Sequence, residues 1–323
     1  MIQRELGQSG IQVTALAMGT WAIGGAWWGG TDEADSIAAI RRGLDEGINL
    51  IDTAPMYGCG LSEELVGKAI RGRDRSQIVV ATKCGLNWWA GEGEFFFEKD
   101  GLTVYRNLRP EQIRYEVEQS LKRLGTDYID LYQTHWQDAT TPIADTMGEL
   151  LRLKEEGKIR AIGVSNCTPA QMDEYLAVGR IDSNQPLYSM LQRGIEADLL
   201  PYCRDHNIAV LAYSPLGQGL LTGKLDPGRE FPEGDLRRGN RNFSPENIRR
   251  VNGILERLSP WREKYGLNQT QLTLAWTISQ PGLTVALCGV RNAAQVADLA
   301  PGGRVEIAPE DLAAMESIIA ELS

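Results

Sequence analysis

An alternation of two patterns constrains this chain most. Eight apolar runs of strand length recur along it: "TALAMGT" (14–20), "INLIDT" (48–53), "IVVATK" (78–83), "YIDLYQTH" (128–135), "AIGVSN" (161–166), "DSNQP" (182–186), "IAVLAYS" (208–214) and "TVALCGV" (284–290). Amphipathic stretches at 34–46, 61–71, 110–124, 143–156, 169–178, 196–206, 268–279 and 292–299 read as helices. Thr168-Pro169 and Arg109-Pro110 both open a helix with Pro at its first position. In "SEELVGKAI", Leu65, Ala69 and Ile70 share one face, with the charges expected on the other. Strands buried on both faces imply a parallel sheet. Eight strand–helix repeats are the number that closes a (β/α)₈ TIM barrel. The rival is an open doubly wound sheet, which would carry G-x-G-x-x-G after its first strand. The first run instead ends "MGTWAIGG", and the glycine-rich "LGQGLLTG" (216–223) follows the seventh.

Three segments fall outside the repeat. "MIQRELGQSGIQV" alternates apolar and polar residues around Gly7 to Gly10, as an N-terminal β-hairpin capping the barrel bottom would. Residues 86–108, rich in Trp, Phe and Gly, read as a long loop after the third strand. Residues 215–267 form a longer excursion after the seventh. Loops of this length at the C-terminal mouth of a barrel are usually functional lids. A single domain spanning 1–323 is expected, because α/β barrels reach this length as one unit.

The charge narrows the partners. With 33 Lys and Arg against 43 Asp and Glu, the net charge is −10. Such a chain is a poor non-specific binder of nucleic acid or anionic membrane, and an anionic ligand needs a local cationic pocket. Five cysteines in no motif fit a reduced, cytoplasmic protein, with Cys59 an inert thiol. No signal peptide or apolar run of membrane-spanning length is seen, and His135 and His206 lack metal-ligand spacing.

The polar residues that interrupt the runs gather at one end. Asp52, Lys83, His135, Ser165, Asn166, Gln185, Tyr213 and Ser214 all close strands, so a barrel brings them to its C-terminal mouth. Singly, each has an ordinary explanation, such as a helix cap for Asp52 or a snorkelling stem for Lys83. Together they outline a site. A phenol ordinarily titrates near 10, too high for an efficient acid at neutral pH, and a neighbouring ammonium lowers that value. Asp52, Lys83 and Tyr57 therefore read as a relay around one proton donor, with His135 orienting the reacting oxygen. With no metal set and no activated nucleophile, proton donation to a carbonyl is the natural task. Reduction of the carbonyl carbon then calls for a nicotinamide hydride donor.

These residues resemble the aldo-keto reductases over nearly the whole chain. "GINLIDTAPMYGCGLSEELVGKAI", "VVATK", "DYIDLYQTHW" and "GKIRAIGVSN" look like the family's signatures, with Asp52, Tyr57, Lys83 and His135 at its catalytic positions. "GTWAIGGAWWGGTDEADSI" and "FPEGDLR" are similar to bacterial NADPH-dependent members of the general stress protein 69 and IolS type.

The resemblance implies NADPH/NADP+ as cofactor and small aldehydes or ketones as substrates, with Tyr57 as general acid. It also implies carboxamide contacts from Ser165, Asn166 and Gln185 and ring stacking from Tyr213. Gly19, Thr20, Trp21, Ser214, Pro215, Leu216, Gly217, Gly219, Leu220 and Lys224 would surround the nicotinamide and pyrophosphate. Gly289, Val290, Arg291, Gln295 and Asp298, from "CGVRNAAQVADLA" (288–300), would hold the adenosine end, with Arg291 on a 2′-phosphate. Trp21, Tyr57, Trp88, His135 and Trp136 are expected to line the substrate pocket. Gln137, Asp298 and Leu299 depart from the family's usual residues.

Two other functions share these residues. A cofactor-sensing regulatory subunit, similar to channel β-subunits, would turn over slowly. A sugar or polyol dehydrogenase would run in the oxidative direction. A monomer or small homo-oligomer is expected in each case.

Overall fold

The computed structural model describes residues 1–322. Eight parallel strands close into a barrel: β1 (Leu16–Gly19), β2 (Leu50–Asp52), β3 (Val79–Cys84), β4 (Ile129–Thr134), β5 (Ile159–Ser165), β6 (Ser183–Gln185), β7 (Ala209–Tyr213) and β8 (Val285–Gly289). Each pairs with its neighbour in chain order and β8 returns to β1, so the fold is the (β/α)₈ barrel rather than an open sheet. Each strand overlaps one of the apolar runs, with β3 running one residue past its run and β5 starting two residues before its own, because strands buried on both faces leave few positions for polar side chains.

Helices α1 (Glu33–Asp45), α2 (Leu61–Ile70), α3 (Pro110–Leu124), α4 (Ile143–Glu155), α5 (Pro169–Leu176) and α6 (Leu199–Asp205) follow the first six strands. The helix Gln269–Ile278 precedes β8 and Ala293–Leu299 follows it. Local chemistry sets their starts. Thr168 and Gln171 form a capping box with Pro169 in the first turn, and Asn268 and Gln271 form another. Side chains such as Ala17, Leu50, Ala81, Leu131 and Leu211 fill the barrel interior, and a larger apolar layer packs strands against helices. The expected hairpin pairs Gln3–Glu5 with Gln12–Thr14. Its Leu6, Ile11 and Val13 join the interior cluster and close the N-terminal end.

Three features differ from the sequence expectation. Residues 86–108 are not an irregular loop. They contain a three-stranded antiparallel sheet of Leu86–Asn87, Glu94–Lys99 and Leu102–Arg106. Asp100 and Gly101 join its two long strands with φ of 53° and 77°, the paired positive values that a type I′ hairpin turn requires. The excursion after β7 is irregular only in its first half, since it includes the helices Pro245–Glu256 and Ser259–Tyr265. On α2, Glu63 does not share the exposed face of Glu64 and Lys68. It is fully buried, because Arg123 and Thr82 supply its hydrogen bonds. A further helix, Pro309–Ile319, lies beyond the eight repeats.

Candidate active site

Strand register delivers the site. Asp52 pairs with Gly19 and Ala81, Lys83 with Gln133, Ser165 with Gln185, and Gly289 with Gly19. The polar strand ends therefore stand level at the C-terminal mouth. They border a cleft of about 610 Å³ that includes Asp52, Tyr57 and His135 as well as Arg291, Gln295 and Asp298. A larger surface groove of about 940 Å³ lies between α2 and α3 and holds none of the expected catalytic residues.

Lys83 is the centre of the polar cluster. Its ammonium is fully buried and donates to Asp52 Oδ1 at 2.7 Å, to the Thr53 carbonyl at 2.9 Å and to Tyr57 Oη at 3.2 Å. All three of its protons are thus directed. Tyr57 Oη accepts from Lys83, so its own O–H remains to point elsewhere. The turn carrying Tyr57 is held by a close backbone crossing. A Cβ on Gly58 would stand 2.1 Å from the Gly24 carbonyl oxygen, and one on Gly24 would stand 2.6 Å from the Tyr57 carbonyl carbon. Side chains at either position would push the phenol out of place.

The other oxygen of Asp52 accepts from Gln185 Nε2 at 2.8 Å and from Gln133 Nε2 at 3.3 Å. Gln133 did not emerge from the sequence, although an amide at an inward position of an apolar strand was the available signal. The His135 ring meets Tyr57 edge-on at 5.8 Å.

Burial and charge fix the protons. Burial lifts the Tyr57 phenol above its ordinary value; the Lys83 charge pulls it down in part, and Asp52 pushes it up. The net direction is upward, the reverse of the fall expected from Lys83 alone, because loss of hydration outweighs the ammonium. Burial works against the Lys83 charge, but Asp52 and the Tyr57 oxygen outweigh it and raise the ammonium's pKa. Burial, aided by the Lys83 charge, holds His135 well below its usual range. At neutral pH the set is a neutral imidazole, a protonated phenol and an ammonium. This is a state ready to donate a proton.

The residues expected to hold a nicotinamide gather beside this cluster. Ser165 Oγ donates to the Gln185 carbonyl at 2.7 Å, and Asn166 Nδ2 bonds the His135 carbonyl at 3.2 Å. Tyr213 Oη donates to Asn166 Oδ1 at 3.0 Å. Asn166, Ser214 and Gln218 take positive φ of 55°, 57° and 56°, and backbone strain of this kind concentrates at binding sites.

Arg291 lines the cleft but donates to the carbonyls of Trp28 at 3.1 Å and Gly30 at 2.7 Å. Lys224 pairs with Asp298 at 2.5 Å, and Asn268 also holds that carboxylate at 2.9 Å. Gly19, Thr20, Trp21, Asp52, Pro215, Leu216, Gly219, Gly289, Gln295 and Trp136 line the same cleft. Gly217 does not, and Leu220 and Val290 are buried in the core, where their side chains pack rather than bind. Trp88 stacks edge-on against Trp89 at 4.5 Å instead of lining the pocket. Gln137 is structural, holding Thr134 and accepting from Tyr175 Oη at 2.7 Å.

The sheet at 86–106 supplies the cleft residues that sequence reasoning missed. Its register shifts between Phe95 and Phe97, and both Phe96 and Phe97 line the cleft. Consecutive strand residues normally face opposite ways; a bulge re-aims one of them. Phe96 contacts Trp136 at 5.4 Å, and Phe97 meets Trp27 at 5.7 Å. The D-G turn between two β-prone stretches was the signal for this hairpin.

Comparison with known proteins agrees with the geometry. The profile of the Aldo/keto reductase family matches residues 15–320. Aldo-keto reductase YhdN of Bacillus subtilis (strain 168) is 42% identical over 90% of this chain and 86% of its own length. An NADH-specific methylglyoxal reductase of Escherichia coli (strain K12) is 42% identical over 97% of each chain. Among solved structures, a glycerol dehydrogenase from Gluconobacter oxydans superposes with a TM-score of 0.86 at 40% identity, covering 98% of this chain and 94% of that one. An aldo-keto reductase from Klebsiella pneumoniae in complex with NADPH superposes with a TM-score of 0.72 at 30% identity, covering 99% and 96%.

Proposed function

This chain belongs to the aldo/keto reductase family and is an oxidoreductase, and from that premise we propose that it reduces small aldehydes and ketones with NADPH, using Tyr57 as general acid. The observation that carries the reading is the hydrogen bond from Lys83 to Tyr57 Oη. It occupies a phenol lone pair and leaves the phenol proton for a carbonyl oxygen in the cleft.

The cleft suits a dinucleotide on several grounds. Trp28 Nε1 and Thr270 Oγ1 are buried in its lining residues without a hydrogen-bond partner among the described residues. Lys224, Arg229, Arg237 and Arg291 line it, a local cationic pocket on a chain of net charge −10. The positive-φ backbone around Ser214 and Gln218 sits where backbone N–H groups can cradle phosphate. Ser165, Asn166, Gln185 and Tyr213 would hold the nicotinamide, and Arg291 with Gln295 the adenosine phosphate. When bound, the reduced nicotinamide supplies a hydride to the carbonyl carbon.

The protein residues do the rest. His135, held neutral, donates one N–H to the carbonyl oxygen and orients it. Tyr57 transfers its proton to that same oxygen. Lys83 stabilises the phenolate left behind, and Asp52 keeps the ammonium in place. The aromatic wall of Trp21, Trp136, Phe96 and Phe97 excludes water from the reacting end.

A second reading, in which NADH also serves, is favoured by one feature. The donors of Arg291 and Lys224 already have protein partners, so a 2′-phosphate must compete for them. Like the NADPH reading, it is decided by kinetics with both cofactors. The first test is NADPH and NADH oxidation with a panel of reactive aldehydes, running wild type beside Tyr57→Phe. Turnover lost in the variant supports the assignment, and equal rates overturn it. Tight cofactor binding without turnover would favour a sensor, and faster polyol oxidation a dehydrogenase.

A further inference from the structure

On β3 the residues alternate between two environments. Val79 and Ala81 belong to the barrel-interior cluster, while Val80 and Cys84 belong to the layer beneath the helices. Lys83 follows the interior set and Thr82 the outer one. The outer layer here is apolar, built from residues such as Leu65, Val66, Ile113 and Val117. Two carboxyl side chains interrupt it: Glu63 from α2 and Glu116 from α3, at 0% and 1% exposure.

Their contacts flank Lys83. Glu63 Oε1 accepts from Thr82 Oγ1 at 2.6 Å, and its Oε2 pairs with Arg123 Nε at 2.6 Å. Both oxygens of Glu116 accept from the Gly85 backbone N–H, at 3.1 and 3.2 Å, and Gln112 Nε2 bonds one of them at 3.0 Å. Thr82 precedes Lys83, and Gly85 lies two residues beyond it. The strand end that carries the ammonium is therefore gripped from behind at two points. Burying carboxyl groups costs several kcal/mol unless they are satisfied, and apolar side chains could fill the same space. Apolar side chains could not accept from Gly85 N–H or Thr82 Oγ1.

We propose that Glu63 and Glu116 are positioning residues, which fix the end of β3 and so the reach of Lys83 Nζ to Tyr57 Oη. The inference rests on the reading of Tyr57 as proton donor. One cation serves two carboxyls, and Arg123 pairs with Glu63. Glu63, Arg123, Cys84 and Tyr132 are the ionisable groups around Glu116. Burial lifts Glu116 to about 8, against the hydrogen bonds from Gln112 and Gly85; the Glu63 charge adds to the rise, and Arg123 offsets part of it. At neutral pH Glu116 is a neutral acid, and Gln is its close mimic.

The test is steady-state kinetics of Glu116→Ala, Glu116→Gln and Thr82→Val with NADPH and a reactive aldehyde. Cofactor affinity is read by tryptophan quenching, and Tyr57→Phe is run alongside. Glu116→Ala should lower kcat about tenfold to a hundredfold, the scale of an ångström-level misplacement, with KM and cofactor Kd unchanged. Glu116→Gln should restore most of that loss, and Thr82→Val should lower kcat alone. A folded Glu116→Ala with wild-type kcat, or a loss that Gln does not recover, overturns the clamp by itself. Should Glu116→Ala fail to fold, Thr82→Val decides: reduced kcat at unchanged KM supports the clamp, and unchanged kcat overturns it. Full activity in Tyr57→Phe overturns the proton-donor reading and the clamp with it.

Discussion

The Lys83 ammonium donates to Tyr57 Oη across 3.2 Å and to Asp52 Oδ1 across 2.7 Å, so the phenol is an acceptor towards the barrel and its own proton is not used on that side. That polarity sets the first expectation. Tyr57→Phe removes the transferable proton and little else, so kcat should fall about 10²- to 10⁴-fold, the usual worth of a positioned general acid. Cofactor affinity, followed by fluorescence titration, should stay at the wild-type value.

Lys83→Met separates charge from volume. The substitution fills the same space but leaves Asp52 buried opposite no cation, with Gln133 and Gln185 its remaining side-chain partners among the described residues. Breaking a buried pair from one side costs about 3–5 kcal/mol. A loss of that size in denaturant unfolding, together with loss of turnover, is expected. A variant as stable as wild type would overturn the view that the Lys83 charge compensates the burial of Asp52.

Glu116 makes stability depend on pH. Its folded value, about 8, lies above the ordinary 4.5 of an unfolded glutamate. Between these values the folded state holds a proton that the unfolded state has lost, so this group's contribution to stability declines as pH rises through the window and levels off above it. Glu116→Gln abolishes that decline. Its unfolding midpoint should rise relative to wild type between pH 5 and pH 9, and a constant difference across that range would contradict the assignment.

Arg291→Ala should separate the two nicotinamide cofactors. Charge-assisted hydrogen bonds contribute about 1.5–3 kcal/mol, so NADPH should bind about tenfold to a hundredfold more weakly and NADH nearly as before. Equal weakening of both would mean that Arg291 acts only by holding the Trp28–Gly30 backbone.

Phe97→Ala opens the wall between the sheet at 86–106 and Trp27. Phe97 is half-buried in the free protein, and an aromatic substrate that completes the burial of its ring would gain about 1.5–3 kcal/mol from the contact. KM for aromatic aldehydes should rise at least about tenfold on that scale, while KM for methylglyoxal should move little. Parallel changes for both substrates would place Phe97 outside the substrate contact.

Much of this was legible in the residues themselves. The eight strands stood out because a strand buried on both faces admits few polar side chains, so Asp52, Lys83 and Ser165 were conspicuous where they broke the pattern. Other features were hidden for physical reasons. Glu63 and Glu116 look like solvated helix charges, since helical spacing does not reveal that Arg123 and Gly85 wait for them. The fall expected for Tyr57 counted its neighbour Lys83 but not the loss of water, which only the packed structure supplies. Phe96 and Phe97 are hidden because 86–108 reads as a loop in the sequence; even as a hairpin, strict alternation aims only one of them at the cleft, and the register shift is a property of the paired strands.

That register shift also bears on how such a protein diverges. Deleting one residue from Glu94–Lys99 would restore strict alternation and turn one phenylalanine away from the cleft. Asp52, Lys83 and Tyr57 are carried by the barrel and the β2–α2 turn, and they would stay where they are. Substrate range in a lineage of this architecture can thus drift by single-codon insertions and deletions in a peripheral hairpin, while the proposed proton-transfer apparatus is inherited unchanged.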